Sequence, residues 1–278
     1  MEYQFINIEG VKISYLETKT VSENIIFLIH GNSTSTNAWR KQFKSQTLSS
    51  YKLIAFDLPA HGQSNSLNGS LFSYSLPDIG KLMAAAVKKL AGNRSYILAG
   101  VSLGTNIIAE MLPYELQPSG IVLTGSCVIG GEITMDKIFL KDIDLHAVFT
   151  DYVPESELKK YFTLSSFSVQ EEDWLCFSGD YYKVKDNFRS KMIATVAAGK
   201  LSNEIYALQQ QTFPILIVFG KDEKVCEINY MDNAKLNLWK GKTYKIKEAG
   251  HFVIIDQSEK LNELMAEYAK DIFKKDAA

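Results

Sequence analysis

A short apolar run, Tyr96 to Ala99, stops at Gly100-Val101-Ser102-Leu103-Gly104, and apolar residues then recur at Ile107, Ile108, Met111 and Leu112. The run reads as a buried strand and the spacing after it as a helix. Between them stands a serine with a glycine two positions before it and another two positions after. The reason for the glycines is steric. A serine held on a strained turn leaves no room for side chains on its flanks. The turn lifts the hydroxyl above the end of a sheet, and the helix start beside it favours negative charge. A chain carrying this element must supply a sheet for the strand to join, and Ser102 is its candidate nucleophile.

The rest of the chain supplies one. Ile25 to Ile29, Leu53 to Phe56, Ile121 to Thr124 and Pro214 to Phe219 are short apolar runs of the kind found in strands covered on both faces, and Thr243 to Lys247 reads as a further strand. Helical spacing appears around Trp39 and Phe43, from Ile79 to Leu90, from Tyr230 to Leu238, and at Leu261, Met265 and Tyr268. Tyr3 to Ile8 and Val11 to Leu16 flank Glu9-Gly10, a hairpin signal. The fold class is therefore α/β, a mostly parallel sheet with helices on both faces. From about Cys127 to Leu208 the strand pattern is replaced by aromatic-rich pieces of weak helical periodicity, with Pro154 near a helix start. That stretch is too long for a loop. It is expected to be an inserted helical cap, residues 127–208, on a core domain of residues 1–126 and 209–278.

In such sheets reactive groups gather at the carboxyl ends of the strands. The loops at His30, Asp57, Ser102, Asp222-Glu223 and His251 all follow predicted strands. A serine hydroxyl needs a base, normally histidine. His251, late in the chain and downstream of a carboxylate, is the candidate; the order serine, acid, histidine fits a known triad arrangement. His30 and His61 are read as ordering their own loops, and His146 as a solvated or incidental lining residue. Asp222 and Glu223 compete for the acid, and because adjacent side chains diverge only one of them is expected to face the imidazole. Asp57 reads as loop-building. The oxyanion donors are expected to be the backbone N–H groups of Leu103 and Asn32. Asn32, Ser33 and Ser35 are candidates for substrate contact, with a helix N-cap as the other role for Ser35.

Charge and cysteine usage exclude several classes. The net charge of −2 with no basic block argues against nucleic acid or an anionic membrane as partner. No apolar run approaches a membrane span, and Met1 to Phe5 lacks the features of a signal peptide. Cys127, Cys176 and Cys226 are an odd number without C-x-x-C pairing, as expected of reduced thiols in a cytoplasmic protein. Neither they nor the four histidines show metal-ligand spacing, so no metal and no cofactor are expected.

Taken together, His30-Gly31-Asn32, Asp57-Leu58-Pro59-Ala60-His61-Gly62-Gln63-Ser64, Gly100 to Gly104, Gly220 to Glu223 and Gly250-His251 resemble the α/β-hydrolase superfamily over nearly the whole length. The resemblance implies that the acid stands three residues after the strand-ending Gly220, which is Glu223. His30-Gly31-Asn32-Ser33-Thr34-Ser35 also looks like haloalkane dehalogenases, but those carry aspartate where this chain has Ser102, which favours acyl transfer over displacement at carbon. Within the superfamily, that opening, Asn237 to Thr243, Glu223 and Tyr161 are similar to serine-dependent N-acyl-homoserine lactone hydrolases. That likeness implies lactone opening through an acyl-enzyme on Ser102, with Tyr161 hydrogen-bonding the substrate from the cap. Two residues depart from the superfamily pattern: Ala60, and Thr105, which is expected to narrow the room beside the nucleophile.

The leading expectation is a serine hydrolase of a small-molecule ester or lactone. Trp174, Phe162, Phe167, Tyr181 and Tyr182 either line an apolar acyl pocket or form the core of the cap. Cleavage of a carbon–carbon bond in a diketone and cofactor-free peroxidation run on the same triad, and a non-catalytic small-ligand receptor is the alternative of another class.

Overall fold

The computed structural model describes residues 2–276; Met1, Ala277 and Ala278 lie outside the described residues. The strands are β1 (Gln4–Ile8), β2 (Val11–Glu17), β3 (Asn24–Ile29), β4 (Lys52–Phe56), β5 (Ser95–Val101), β6 (Gly120–Thr124), β7 (Ile215–Gly220) and β8 (Tyr244–Ile246). Among the described residues they form one sheet in the order β1-β2-β4-β3-β5-β6-β7-β8. β1 and β2 pair antiparallel, as do β2 and β4, and every other pair is parallel. Glu9 and Gly10 close the β1–β2 hairpin with positive φ at both positions, the type I′ geometry that matches the twist of its strands.

Helices α1 (Arg40–Phe43), α2 (Leu76–Ala91) and α3 (Leu103–Met111) fall between strands of the first half. Then α4 (Met135–Ile138), α5 (His146–Phe149), α6 (Glu155–Ser165), α7 (Glu171–Tyr181), α8 (Phe188–Ala197) and α9 (Glu204–Gln209) separate β6 from β7. Finally α10 (Val253–Asp256) and α11 (Ser258–Asp276) close the chain. The alternation of side chains along β3 shows why its residues are all apolar. Ile25, Phe27 and Ile29 pack with α2 and α3 on one face, while Ile26 and Leu28 pack with Leu261, Met265 and Tyr268 of α11 on the other. None of the described helices is long and apolar enough to cross a membrane.

The segment Tyr230 to Leu238 is not a helix, contrary to its apolar spacing. Lys235 has φ 51°, and the chain instead runs beside β7, where the Ile215 N–H donates to the Asn237 carbonyl at 2.7 Å. Met231 and Ala234 are buried in the core all the same, so the periodicity recorded burial without recording the backbone.

Candidate active site

The parallel strands β3, β5, β7 and β8 deliver four loops to one end of the sheet, and each carries part of the site. Ser102, between β5 and α3, has φ 52° and ψ −124°, a conformation that L residues rarely adopt. It survives because glycines stand two positions before and after it, where a side chain would not fit. A Cβ on Gly104 would lie 2.3 Å from the Ile29 carbonyl oxygen, and one on Gly100 would lie 2.7 Å from the Gly104 carbonyl. The Ser102 N–H donates to the Thr124 carbonyl on β6 at 3.0 Å, which pins the turn to the sheet.

His251, in the loop after β8, places Nε2 3.0 Å from Ser102 Oγ and Nδ1 2.8 Å from Glu223 Oε2. A carboxylate accepts, so Nδ1 carries a proton, and in the neutral imidazole Nε2 keeps a lone pair for the serine hydroxyl. The imidazole and the Glu223 side chain are both buried, at 1% and 0% exposure. The other Glu223 oxygen accepts from the Val225 N–H at 2.7 Å, so the carboxylate is held from both sides. Asp222 turns away and accepts from the Glu248 N–H at 2.9 Å. Burial disfavours the charged imidazole, but the Glu223 charge and hydrogen bond outweigh it, and the His251 pKa is pushed up to about 9.

Leu103 opens α3, so its N–H is among those with no acceptor inside the helix. Leu103, Asn32 and Tyr161 all line the cavity of about 110 Å³ into which Ser102 and His251 open. The Asn32 side chain points elsewhere, its Nδ2 donating to the Val148 carbonyl at 2.6 Å. Tyr161 is buried, which pushes its phenol well above the ordinary value.

Two sequence expectations, those for Ser33 and Thr105, are corrected. Ser33 does not reach the cavity: it is fully buried, and its hydroxyl accepts from Arg189 Nε at 2.7 Å. Ser35 caps the turn at Thr36–Trp39 and also donates to Asp180 Oδ2 at 2.7 Å. Thr105 does not narrow the site; its hydroxyl donates to the Ser102 carbonyl at 2.7 Å and accepts from the Cys127 N–H at 3.0 Å. Ala60 stands at φ 66°, in the left-handed region that glycine adopts without strain. Of the aromatic residues of the insertion, Phe162, Trp174 and Tyr181 pack into its own core, while Phe167 and Tyr182 are half exposed. Phe177, from the same core, lines the cavity together with Phe149 and, from outside the insertion, Phe252.

His30 and His61 brace the loops, as their sequence context implies. His30 Nε2 accepts from the Leu58 N–H at 2.9 Å, and His61 Nε2 from the Ser33 N–H at 3.3 Å. His146 is exposed and sits 2.5 Å from Glu157. Asp57 accepts from the Thr36 and Gln63 N–H groups at 2.8 and 2.9 Å and from the Ser14 hydroxyl at 2.7 Å. Sequence reasoning missed Arg189, which is buried and reaches the Asp151 and Tyr181 carbonyls as well as Ser33, tying the insertion to the His30–Ser35 loop. The signal available in the sequence was an arginine directly after Phe188 and close to Tyr181 and Tyr182. It also missed Cys127 and Cys226, whose sulfur atoms lie 3.6 Å apart beside the serine. They are 99 residues apart in the chain, so no spacing announces them.

A family model described as the alpha/beta hydrolase fold matches residues 24–152. The protein has the α/β-hydrolase fold. Among curated relatives, "Putative 2-succinyl-6-hydroxy-2,4-cyclohexadiene-1-carboxylate synthase" of Haemophilus influenzae is 36% identical over 107 residues, 37% of this chain and 40% of that protein. The chain thus matches less than half of that relative's length. "Uncharacterized hydrolase YugF" of Bacillus subtilis is 21% identical over 278 residues, covering 95% of this chain and 96% of that one. Among solved structures, a mutant of the N-acyl homoserine lactonase AidH complexed with N-hexanoyl homoserine lactone superposes with a TM-score of 0.87 at 23% identity, covering 99% of both chains. At that identity the likeness establishes the shared α/β-hydrolase fold.

Proposed function

We propose that the protein is a serine hydrolase of small esters or lactones, with N-acyl homoserine lactones as the leading lactone class. The observation that carries the reading is the line Ser102–His251–Glu223, with contacts of 3.0 and 2.8 Å and a buried imidazole and carboxylate, opening on a mostly apolar cavity. In this reading Ser102 Oγ attacks the carbonyl carbon while His251 Nε2 takes its proton. The N–H groups of Leu103 and Asn32 receive the oxyanion, each worth roughly 3–4 kcal/mol in the transition state. His251 then returns the proton to the leaving alkoxide, which in a lactone stays tethered as the new hydroxyl. Water, deprotonated by the same imidazole, releases the acid. The net reaction adds one water across the ester bond, and every step uses groups of this chain. Residues 127–208 act as a cap whose Met135, Ile138, Phe149 and Val196 line the apolar part of the cavity and suit an acyl chain. The similarity to AidH favours the lactone over a simple ester.

Mass spectrometry tests this directly. A fluorophosphonate is expected to modify Ser102, and a panel of acyl homoserine lactones and p-nitrophenyl esters is expected to include substrates that gain one water. An unlabelled Ser102 together with no turnover on the panel would end the proposal.

The pH profile is a separate expectation. Only neutral His251 accepts the serine proton, and its pKa is raised above the ordinary 6.5. Raising that value widens the acid range in which the base is protonated and idle. The acid limb of kcat/KM is therefore expected to have its midpoint above 6.5, with activity rising as pH rises through it.

A further inference from the structure

Beside the serine, three potential ligand atoms that belong to three different loops converge. Cys127 Sγ, Cys226 Sγ and a ring nitrogen of His251 all lie within 4.8 Å of one another. The two sulfur atoms are 3.6 Å apart, and Cys127 Sγ is 3.9 Å from Ser102 Oγ. Two thiolates on one tetrahedral zinc, each at about 2.3 Å, stand roughly 3.8 Å apart, so the sulfur pair needs little movement to share an ion. The histidine is prepared in the way zinc ligands are. Its Nδ1–H is held by the Glu223 carboxylate at 2.8 Å, which leaves Nε2 as the donor and fixes the ring plane. Cys226 is buried, but Cys127 and His251 line the cavity, which gives an ion a way in.

We propose that Cys127, Cys226 and His251 Nε2 form a binding site for Zn²⁺, and that zinc bound there switches off the Ser102 centre. On binding, the two thiols release two protons to solvent, His251 Nε2 releases its own where the imidazole is protonated, and the two thiolates neutralise the ion where it is buried. The fourth position faces the cavity and takes water or Ser102 Oγ. The His251 lone pair that would accept the serine proton is then committed to the metal, so Ser102 loses its base. Binding stands on the geometry alone; the inhibitory half rests on the serine-hydrolase reading.

The experiment uses the full-length protein kept reduced. Zn²⁺ is titrated by calorimetry, Co²⁺ is added as a spectroscopic substitute, and hydrolysis of a substrate from the panel is followed in parallel. One metal per chain, a sulfur-to-cobalt charge-transfer band, and activity lost with Zn²⁺ and restored by a chelator are expected. Cys226 does not line the cavity, so Cys226→Ala and Cys226→Ser are expected to keep their hydrolytic rate. They should bind Zn²⁺ at least about tenfold more weakly, since even an outer-shell partner is worth about 10–100-fold. Ser102→Ala is expected to bind the metal like the parent. Absence of the charge-transfer band in the folded parent, or equal affinity in the parent and both Cys226 variants, would overturn the site. Equal inhibition of parent and Cys226 variants would overturn the switch. A protein that binds zinc through these residues yet hydrolyses nothing would leave the site standing and remove the hydrolase reading instead.

Discussion

Ser102→Ala is expected to lower kcat/KM for the best ester or lactone by roughly 10⁴-fold or more, the scale on which triad serines act. The variant removes one oxygen atom, and with it the contacts to His251 at 3.0 Å and to Cys127 at 3.9 Å. The turn itself is held by backbone: Ser102 N–H to Thr124, and Thr105 N–H to the Ser102 carbonyl at 2.8 Å. The His251–Glu223 pair does not depend on the hydroxyl. The melting temperature is therefore expected to stay close to that of the parent while turnover collapses. Residual rate above that of water would come from the oxyanion donors and substrate binding. A loss smaller than tenfold in a variant that melts like the parent would mean that Ser102 is not the nucleophile, whatever its geometry.

The second large effect separates two neighbouring acids. Glu223→Gln is expected to reduce kcat by up to about 10⁴-fold, whereas Asp222→Asn is expected to stay within about twofold of the parent. The reason is the direction of a proton. Glu223 accepts from His251 Nδ1 at 2.8 Å, which leaves Nε2 free to receive from Ser102. A glutamine that turns its amide N–H to that nitrogen stabilises the opposite tautomer, with the hydrogen on Nε2 and no lone pair facing the serine. It also removes the charge that raises the His251 pKa, so the acid limb of whatever activity remains is expected to move to lower pH. The Asp222 carboxylate holds the Glu248 N–H, a contact that an asparagine oxygen also makes. Measuring both variants over a pH series checks the assignment, and equal losses in the two would refute it.

The strands and the serine turn were legible because they rest on short-range rules. A strand covered on both faces must be apolar throughout, and β3, β5 and β7 are buried from end to end or nearly so. The Ser102 turn tolerates only glycine where a Cβ would strike the Gly104 carbonyl or the Ile29 oxygen. Side-chain direction was less legible. Ser33 and Thr105 lie next to site residues in the chain, yet their hydroxyls are taken up by Arg189 and by the backbone at Ser102 and Cys127. Likewise, composition marked the insertion as aromatic, but only packing showed that Phe162 and Trp174 stay in its core while Phe177, in the same core, also faces the cavity.

By itself the sequence determined the α/β class, the strained serine turn and a short list of candidate bases and acids, because each follows from the steric or burial needs of a few adjacent residues. Only the tertiary structure decided which candidates meet. Ser102 and His251 are 149 positions apart, His251 and Glu223 28, and Cys127 and Cys226 99. Contacts at that range are set by how neighbouring strands pair and how the helices between them pack, and a hydrogen bond formed or missed there turns on about an ångström that no local pattern encodes.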